Sequence, residues 1–235
     1  DQTNHGKTLT VSILSLSLLT VMAGAAVAPA LGVIQAHFAD TDQLFVQMVI
    51  SVPALFIVIT NFIFPKLCKV FGARTLVLMG LLLYTVGGCA AGLFDNIFAV
   101  LVTRALVGIG VGIIMPLSTG LLSYYYRPEQ QVGLMGYSSA MNQMGGVIAT
   151  LLSGLLANIS WRVSFLVYLM GLVSIVLCLI FLPNDRITQE APAKEDRGKK
   201  EDSGGAGVFR SNIVYILAMF LLMSAFFIYP ANFAL

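Results

Sequence analysis

The stretch Ile97–Leu122 reads IFAVLVTRALVGIGVGIIMPLSTGLL and carries one charge, Arg104. It exceeds the ~20 apolar residues that a helix needs to cross a bilayer core. No water is available there, so backbone N–H and C=O groups must be satisfied within the segment, and an unbroken apolar run does this as a helix. A strand of alternating pattern does not fit the run. Gly108 and Gly112 carry the G-x-x-x-G spacing that lets helices approach closely.

Six more runs of this kind flank it. Leu9–Ile34, Leu44–Phe64 (closed by Pro65 and Lys66) and Thr75–Phe94 precede it, and Val132–Ile159, Val163–Leu182 and Ile213–Tyr229 follow. Of the 235 residues, 58% are hydrophobic and 10% charged, where a soluble globular chain carries roughly 25% charge. A mean hydropathy of +0.90 leaves too few polar side chains to clothe a surface in water. The fold class predicted is an all-α integral membrane protein. The first run contains Ala26-Val27-Ala28, which resembles a signal-peptidase site. The apolar stretch outruns an h-region of ~7–15 residues and continues past that point, so it reads as a span.

Eleven of the thirteen basic residues fall on one side: Lys7, Lys66, Lys69, Arg74, Arg127 and the six between the sixth and seventh runs. Arg162 alone lies opposite, and Arg104 lies within a span. Basic residues are retained in the cytoplasm, so the N-terminus is predicted to be cytoplasmic. The net charge of +2 offers nothing to nucleic acid. Cys68, Cys89 and Cys178 are widely separated and imply neither disulfides nor a zinc site.

Residues 1–183 read as a six-helix transmembrane domain. Residues 184–212 mix charges with Gly and Pro and read as a flexible cytoplasmic linker. Residues 213–235 read as the first helix of a truncated second transmembrane domain. An internal repeat is also visible. Pro29 lies about 20 residues into the first run and Pro116 about 20 into the fourth, and paired interruptions of this kind serve as bending points in transporters. Because the first run crosses outward and the fourth inward, the two triplets of helices would be inverted relatives.

The fourth run, from Arg104 through Gly108 and Gly110, matches the R-x-x-x-G-x-G pattern of the major facilitator superfamily, and Trp161-Arg162-Val163-Ser164-Phe165 is similar to its W-R-x-x-F. Lys69, Gly72 and Arg74 occupy positions of its cytoplasmic loop motif G-x-x-x-D-R-x-G-R-K. The chain departs from that motif with Lys69 at the aspartate, Val70 at the next basic position and Pro65 at the leading glycine. The fifth-span antiporter motif G-P-x-x-G-G falls on Ala149–Gly154 and keeps only its last glycine. Ala28-Pro29-Ala30-Leu31 and Ile148–Leu152 look most like twelve-span bacterial multidrug-resistance members. The resemblance implies a six-helix N-terminal bundle of two inverted triplets and the seventh helix of a second bundle. It also implies drug efflux by alternating access, coupling to protons through Arg104, a bacterial inner-membrane location and a monomer when full length. No cofactor is implied.

Arg104 is costly in hydrocarbon and must face a cavity or partner; it either couples protons and substrate or bonds neighbouring backbone carbonyls. All eleven acidic residues fall outside the spans, so a proton acceptor belongs to the remainder of such a carrier. His37, near the outer end of the first run, either titrates or simply sits at the interface. Asn142 and Gln143 point about 100° apart on one helix, each either gluing helices or touching substrate. Met22 and Met115, with Phe226 and Tyr229, suit an adaptable apolar substrate cavity or plain packing.

The function predicted is secondary transport of a small amphipathic or hydrophobic molecule. An uptake carrier for a nutrient or metabolite is the alternative within that class. A seven-helix receptor or photosensor is the alternative outside it, opposed by the charge asymmetry and by the lack of a lysine in residues 213–235. H-E-x-x-H, G-x-S-x-G and paired membrane aspartates do not occur in the sequence, so no enzyme is expected.

Overall fold

The computed structural model describes residues 2–39, 41–182 and 213. The linker and all of the seventh run except Ile213, with Phe226 and Tyr229, lie outside the described residues. Six helical spans are long and apolar enough to cross a membrane: Thr8–His37, Gln43–Val70, Ala73–Leu93, Ile97–Tyr125, Pro128–Ala157 and Trp161–Phe181. Among the described residues there is no strand.

Helix starts follow local chemistry. Asp42 caps the second span by accepting from Leu44 N at 3.0 Å, and Asn96 caps the fourth by accepting from Phe98 N at 2.9 Å. The fifth span begins at Pro128, four residues before the predicted Val132, because proline at the first helical position forfeits an N–H that is an orphan anyway. The second span does not end at Pro65 as predicted but continues to Val70. Pro65 deprives only the carbonyl of Asn61, and Asn61 is exposed near the end of the span. The fourth helix likewise runs on to Tyr125.

The first span is interrupted. Helix α1 (Gln2–Ala25) gives way to a 3₁₀ turn at Ala28–Ala30 and then to a short helix α2 (Leu31–His37). Pro29 therefore breaks its helix, while Pro116 sits inside the continuous helix Ile97–Tyr125. The sequence-level pair is not a pair in local structure.

The inverted repeat is visible in the packing. The first span packs on the fifth as the fourth packs on the second, and the third packs on the fourth as the sixth packs on the first. The first and fourth spans meet at the centre. The fourth is the most buried and contacts neighbours on opposite sides, so its glycines are shared between them. A Cβ at Gly108 would lie 2.5 Å from the carbonyl oxygen of Pro53 in the second span, and one at Gly110 would lie 2.6 Å from that of Gly80 in the third. Large apolar side chains such as Phe62, Val132 and Ile159 point outward, where lipid can solvate them.

Candidate functional site

Breaking the first span releases carbonyls, and those carbonyls organise the site. At the interruption, Val27 N–H bonds Gly24 O and Ala30 N–H bonds Val27 O. Each thus bonds three residues back, and the carbonyls of Ala23 and Ala26 lose their usual partners four residues on. Pro29 has no N–H to offer Ala25 O. In the second span, Pro53 has none to offer Val49 O, by the same rule.

Arg104 answers two of these orphans. Its side chain is fully buried. Nε donates to Val49 O at 3.0 Å, Nη2 to Ala23 O at 2.7 Å, and Nη1 to the hydroxyl of Tyr168 at 2.6 Å. The Tyr168 hydroxyl in turn donates to Ala23 O at 2.7 Å. The guanidinium also lies 5.4 Å from the centre of the Tyr168 ring. One cation from the fourth span thereby ties together the break of the first span, the turn before Pro53 in the second and the first half of the sixth. Only Arg supplies diverging N–H groups from a planar head to three such acceptors. Of the two left, Ala26 O accepts from Ser153 Oγ of the fifth span.

A polar seam joins the first and fifth spans. Ser17 and Ser138 hydroxyls are 2.6 Å apart, and Thr20 Oγ1 donates to Asn142 Oδ1. A Cβ at Gly145 would collide with Leu18 O, at 1.9 Å. Asn142 thus binds helix to helix. Gln143, one residue on, faces elsewhere: with Ala25, Gly146, Val147, Thr150 and Leu151 it lines a groove of about 410 Å³. The groove runs along the fifth span and meets the first at Ala25, the last residue of α1 before the break, and its walls are apolar apart from Gln143, Thr150 and the backbone.

The other predicted residues are dispersed. Met22 is fully buried in the core, and Met115 is half exposed; neither lines the groove. Lys69 is exposed in the last turn of the second span, and Gly72 precedes the third helix. Arg74 Nη2 donates to Leu179 O in the last turn of the sixth span, a cation at a helix C-terminus. At the opposite end of the bundle, His37, Asp95 and Arg162 converge: Arg162 Nη2 donates to Asp95 Oδ1, and His37 Nε2 lies 3.4 Å from the same oxygen. Among the described residues, the carboxylates of Asp42, Asp95 and Glu129 lie at helix starts and connections, and no cluster of metal-ligating side chains occurs.

Pro53 and Tyr168 were not singled out in the sequence. Pro53 could have been, since proline in a long span always orphans the carbonyl four residues back. Tyr168 carried no such signal.

Six apolar spans in two inverted triplets, with a buried cation of the fourth bonded to the first, second and sixth, define a helical membrane bundle. The chain belongs to the Major Facilitator Superfamily, which it matches over residues 13–235. The seven-helix receptor alternative is thereby set aside. Relatives include the riboflavin transporter RibZ of Clostridioides difficile (22% identical over 73% of this chain and 37% of that protein) and multidrug resistance protein 3 of Bacillus subtilis (24%, 71% and 35%). The hexuronate transporter of Bacillus subtilis is 26% identical over 75% of this chain and 42% of its own. The fold is similar to the crystal structure of a bacterial homologue of the human lysosomal transporter Spinster, with a TM-score of 0.70 and 16% identity, covering 89% of this chain and 49% of that one. The chain spans about two-fifths or less of the length of these curated relatives and about half that of the solved structure.

Proposed function

We propose that this chain is the N-terminal part of a secondary carrier that exports a small amphipathic or hydrophobic organic compound by alternating access. The observation that carries this reading is the groove at the break in the first span. It is mostly apolar, with the Gln143 amide and Thr150 hydroxyl as its few polar groups, the balance that small-molecule sites adopt. Its position beside a broken helix joins the binding surface to a bending point. Coupling would be to protons. Among the described residues no carboxylate lies within a span beyond its first turn, so the acceptor belongs to further parts of the carrier. Arg104, held by three acceptors, serves that coupling by fixing helix bends rather than by carrying the substrate. The carrier would be a monomer in a bacterial inner membrane with its N-terminus cytoplasmic, residues 184–212 linking this bundle to a second one that begins at residue 213.

An uptake carrier for a nutrient or metabolite is the second reading, favoured by the riboflavin and hexuronate transporters among the relatives. The test reconstitutes the full-length carrier in liposomes with an imposed pH gradient. Export of a lipophilic cation that collapses with the gradient is expected. Export that persists unchanged without the gradient would sink proton antiport, and gradient-driven flux of riboflavin or a hexuronate alone would favour uptake.

A further inference from the structure

Beyond the break, the first span continues as α2, seven residues no longer joined to α1 by regular helical hydrogen bonds. Ile34 and the following Phe38 anchor it in the core, while Gly32, Val33, Gln35, Ala36 and His37 are exposed. Its polar tie to the bundle is His37, whose Nε2 lies 3.4 Å from Asp95 Oδ1 in the connection between the third and fourth spans.

The surroundings of His37 are charged and aromatic. Arg162, in the turn leading to the sixth span, bonds the same Asp95 oxygen, and its guanidinium lies 5.4 Å from the centre of the Trp161 ring. Trp161 also faces the imidazole, ring centre to ring centre 4.9 Å, and Phe38 sits edge-on to both rings. Asp42, the remaining described carboxylate at this end, is engaged by Leu44 N; Asp40 lies outside the described residues. The Arg162 hydrogen bond holds the Asp95 carboxyl below the usual carboxylate range, with His37 adding to the effect. Asp95 is therefore ionised throughout the interval, about pH 5 to 8, in which histidine changes charge. A proton on His37 gains an anionic partner and an aromatic face, against the repulsion of Arg162.

We infer that His37 is a proton-operated latch: protonated, it pins the outer half of the first span to the Asp95–Arg162 pair, and neutral, it frees α2 to swing at the Pro29 break. The inference borrows from the carrier reading only which compartment supplies the proton.

Trp161 is the sole tryptophan of the chain, and an imidazolium in contact with an indole quenches its fluorescence. In nanodiscs, where both faces meet the same buffer and no transport is needed, Trp161 emission should fall when the buffer is taken from about pH 8 to 5. His37→Gln should remove the transition, and His5→Gln should keep it. Amide exchange of residues 31–38, corrected for its intrinsic pH dependence, should slow roughly two- to fivefold across the same interval. Asp95→Asn should abolish that slowing, and His37→Arg should make exchange slow at both ends. Emission independent of pH, a transition that survives His37→Gln, or exchange indifferent to both charge variants would overturn the latch while leaving the carrier reading intact.

Discussion

Arg104 donates its Nε–H to Val49 O at 3.0 Å, the carbonyl that Pro53, four residues on, has no N–H to serve. The arginine stands where a backbone amide would be. Its other bonds repeat the arrangement at the break of the first span, where Ala23 O lost its amide to a tighter turn.

Removing that arginine should cost more stability than its charge alone accounts for. Arg104→Ala leaves Val49 O buried without a donor, takes one of two donors from Ala23 O and removes the donor to the Tyr168 hydroxyl, at about 1–3 kcal/mol for each unsatisfied group. Thermal denaturation in detergent should show a loss of several kcal/mol, with Arg104→Lys intermediate. Pro53→Ala restores an N–H for Val49 O, so Arg104→Lys should cost less in that background. A double-mutant cycle with zero coupling would contradict the substitution of side chain for amide.

The two buried tyrosines should respond oppositely to loss of the hydroxyl. Tyr168→Phe forfeits a bond accepted from Arg104 and one donated to Ala23 O, at about 1–3 kcal/mol. The Tyr84 hydroxyl is buried with no partner among the described residues. Tyr84→Phe should therefore be neutral or stabilising by the same assay.

Helix spacing predicts a sharp contrast among glycines. Gly145→Ala drives a methyl group into Leu18 O and should separate the first and fifth spans, costing more than about 2 kcal/mol. Gly133→Ala, with nothing within 4 Å, should be neutral or stabilise the helix by about 0.5–1 kcal/mol. Comparable losses in both would remove close approach as the explanation.

Acid should loosen the end of the bundle where Asp95 meets Arg162. The folded-state carboxyl titrates below its ordinary value, near 3.9. Its contribution to stability is thus complete above that value and is lost as pH falls through the lower folded one. Stability measured from pH 5 downward should decline less in Asp95→Asn than in the parent.

Adjacent amides should separate binding from structure. Gln143→Leu should change the apparent affinity of the full-length carrier for substrate with little effect on thermal stability. Asn142→Leu, which removes the bond from Thr20 across the first and fifth spans and leaves that hydroxyl only Ser17 O of its own helix, should lower stability by about 1 kcal/mol. The assignment fails if Gln143→Leu leaves every transported compound unaffected.

Spans were legible because hydrocarbon admits little besides apolar helices, so length and charge suffice to find them. Their ends were less so. Pro65 reads as a stop, yet its orphaned carbonyl belongs to the exposed Asn61 and the helix runs on. Pro29 and Pro116 look alike in sequence, but only Pro29 lies in a 3₁₀ turn. The groove residue Gln143 was one of several candidates of equal weight, and nothing local distinguished it from Asn142.

Local chemistry and solvent therefore dictated the six spans, their caps and the burial of Arg104, since each depends on residues near in sequence or on the cost of a charge in hydrocarbon. The partners of Arg104 were decided by tertiary structure. Val49, Ala23 and Tyr168 lie 55, 81 and 64 residues away, and they meet only when the inverted triplets pack so that the orphaned carbonyls of the first and second spans reach the same point on the fourth. The same packing separates Asn142 from Gln143 and brings His37, Asp95 and Arg162 together. A backbone carbonyl has no residue identity to read, so a site built largely from orphaned carbonyls becomes visible only once the helices are in place.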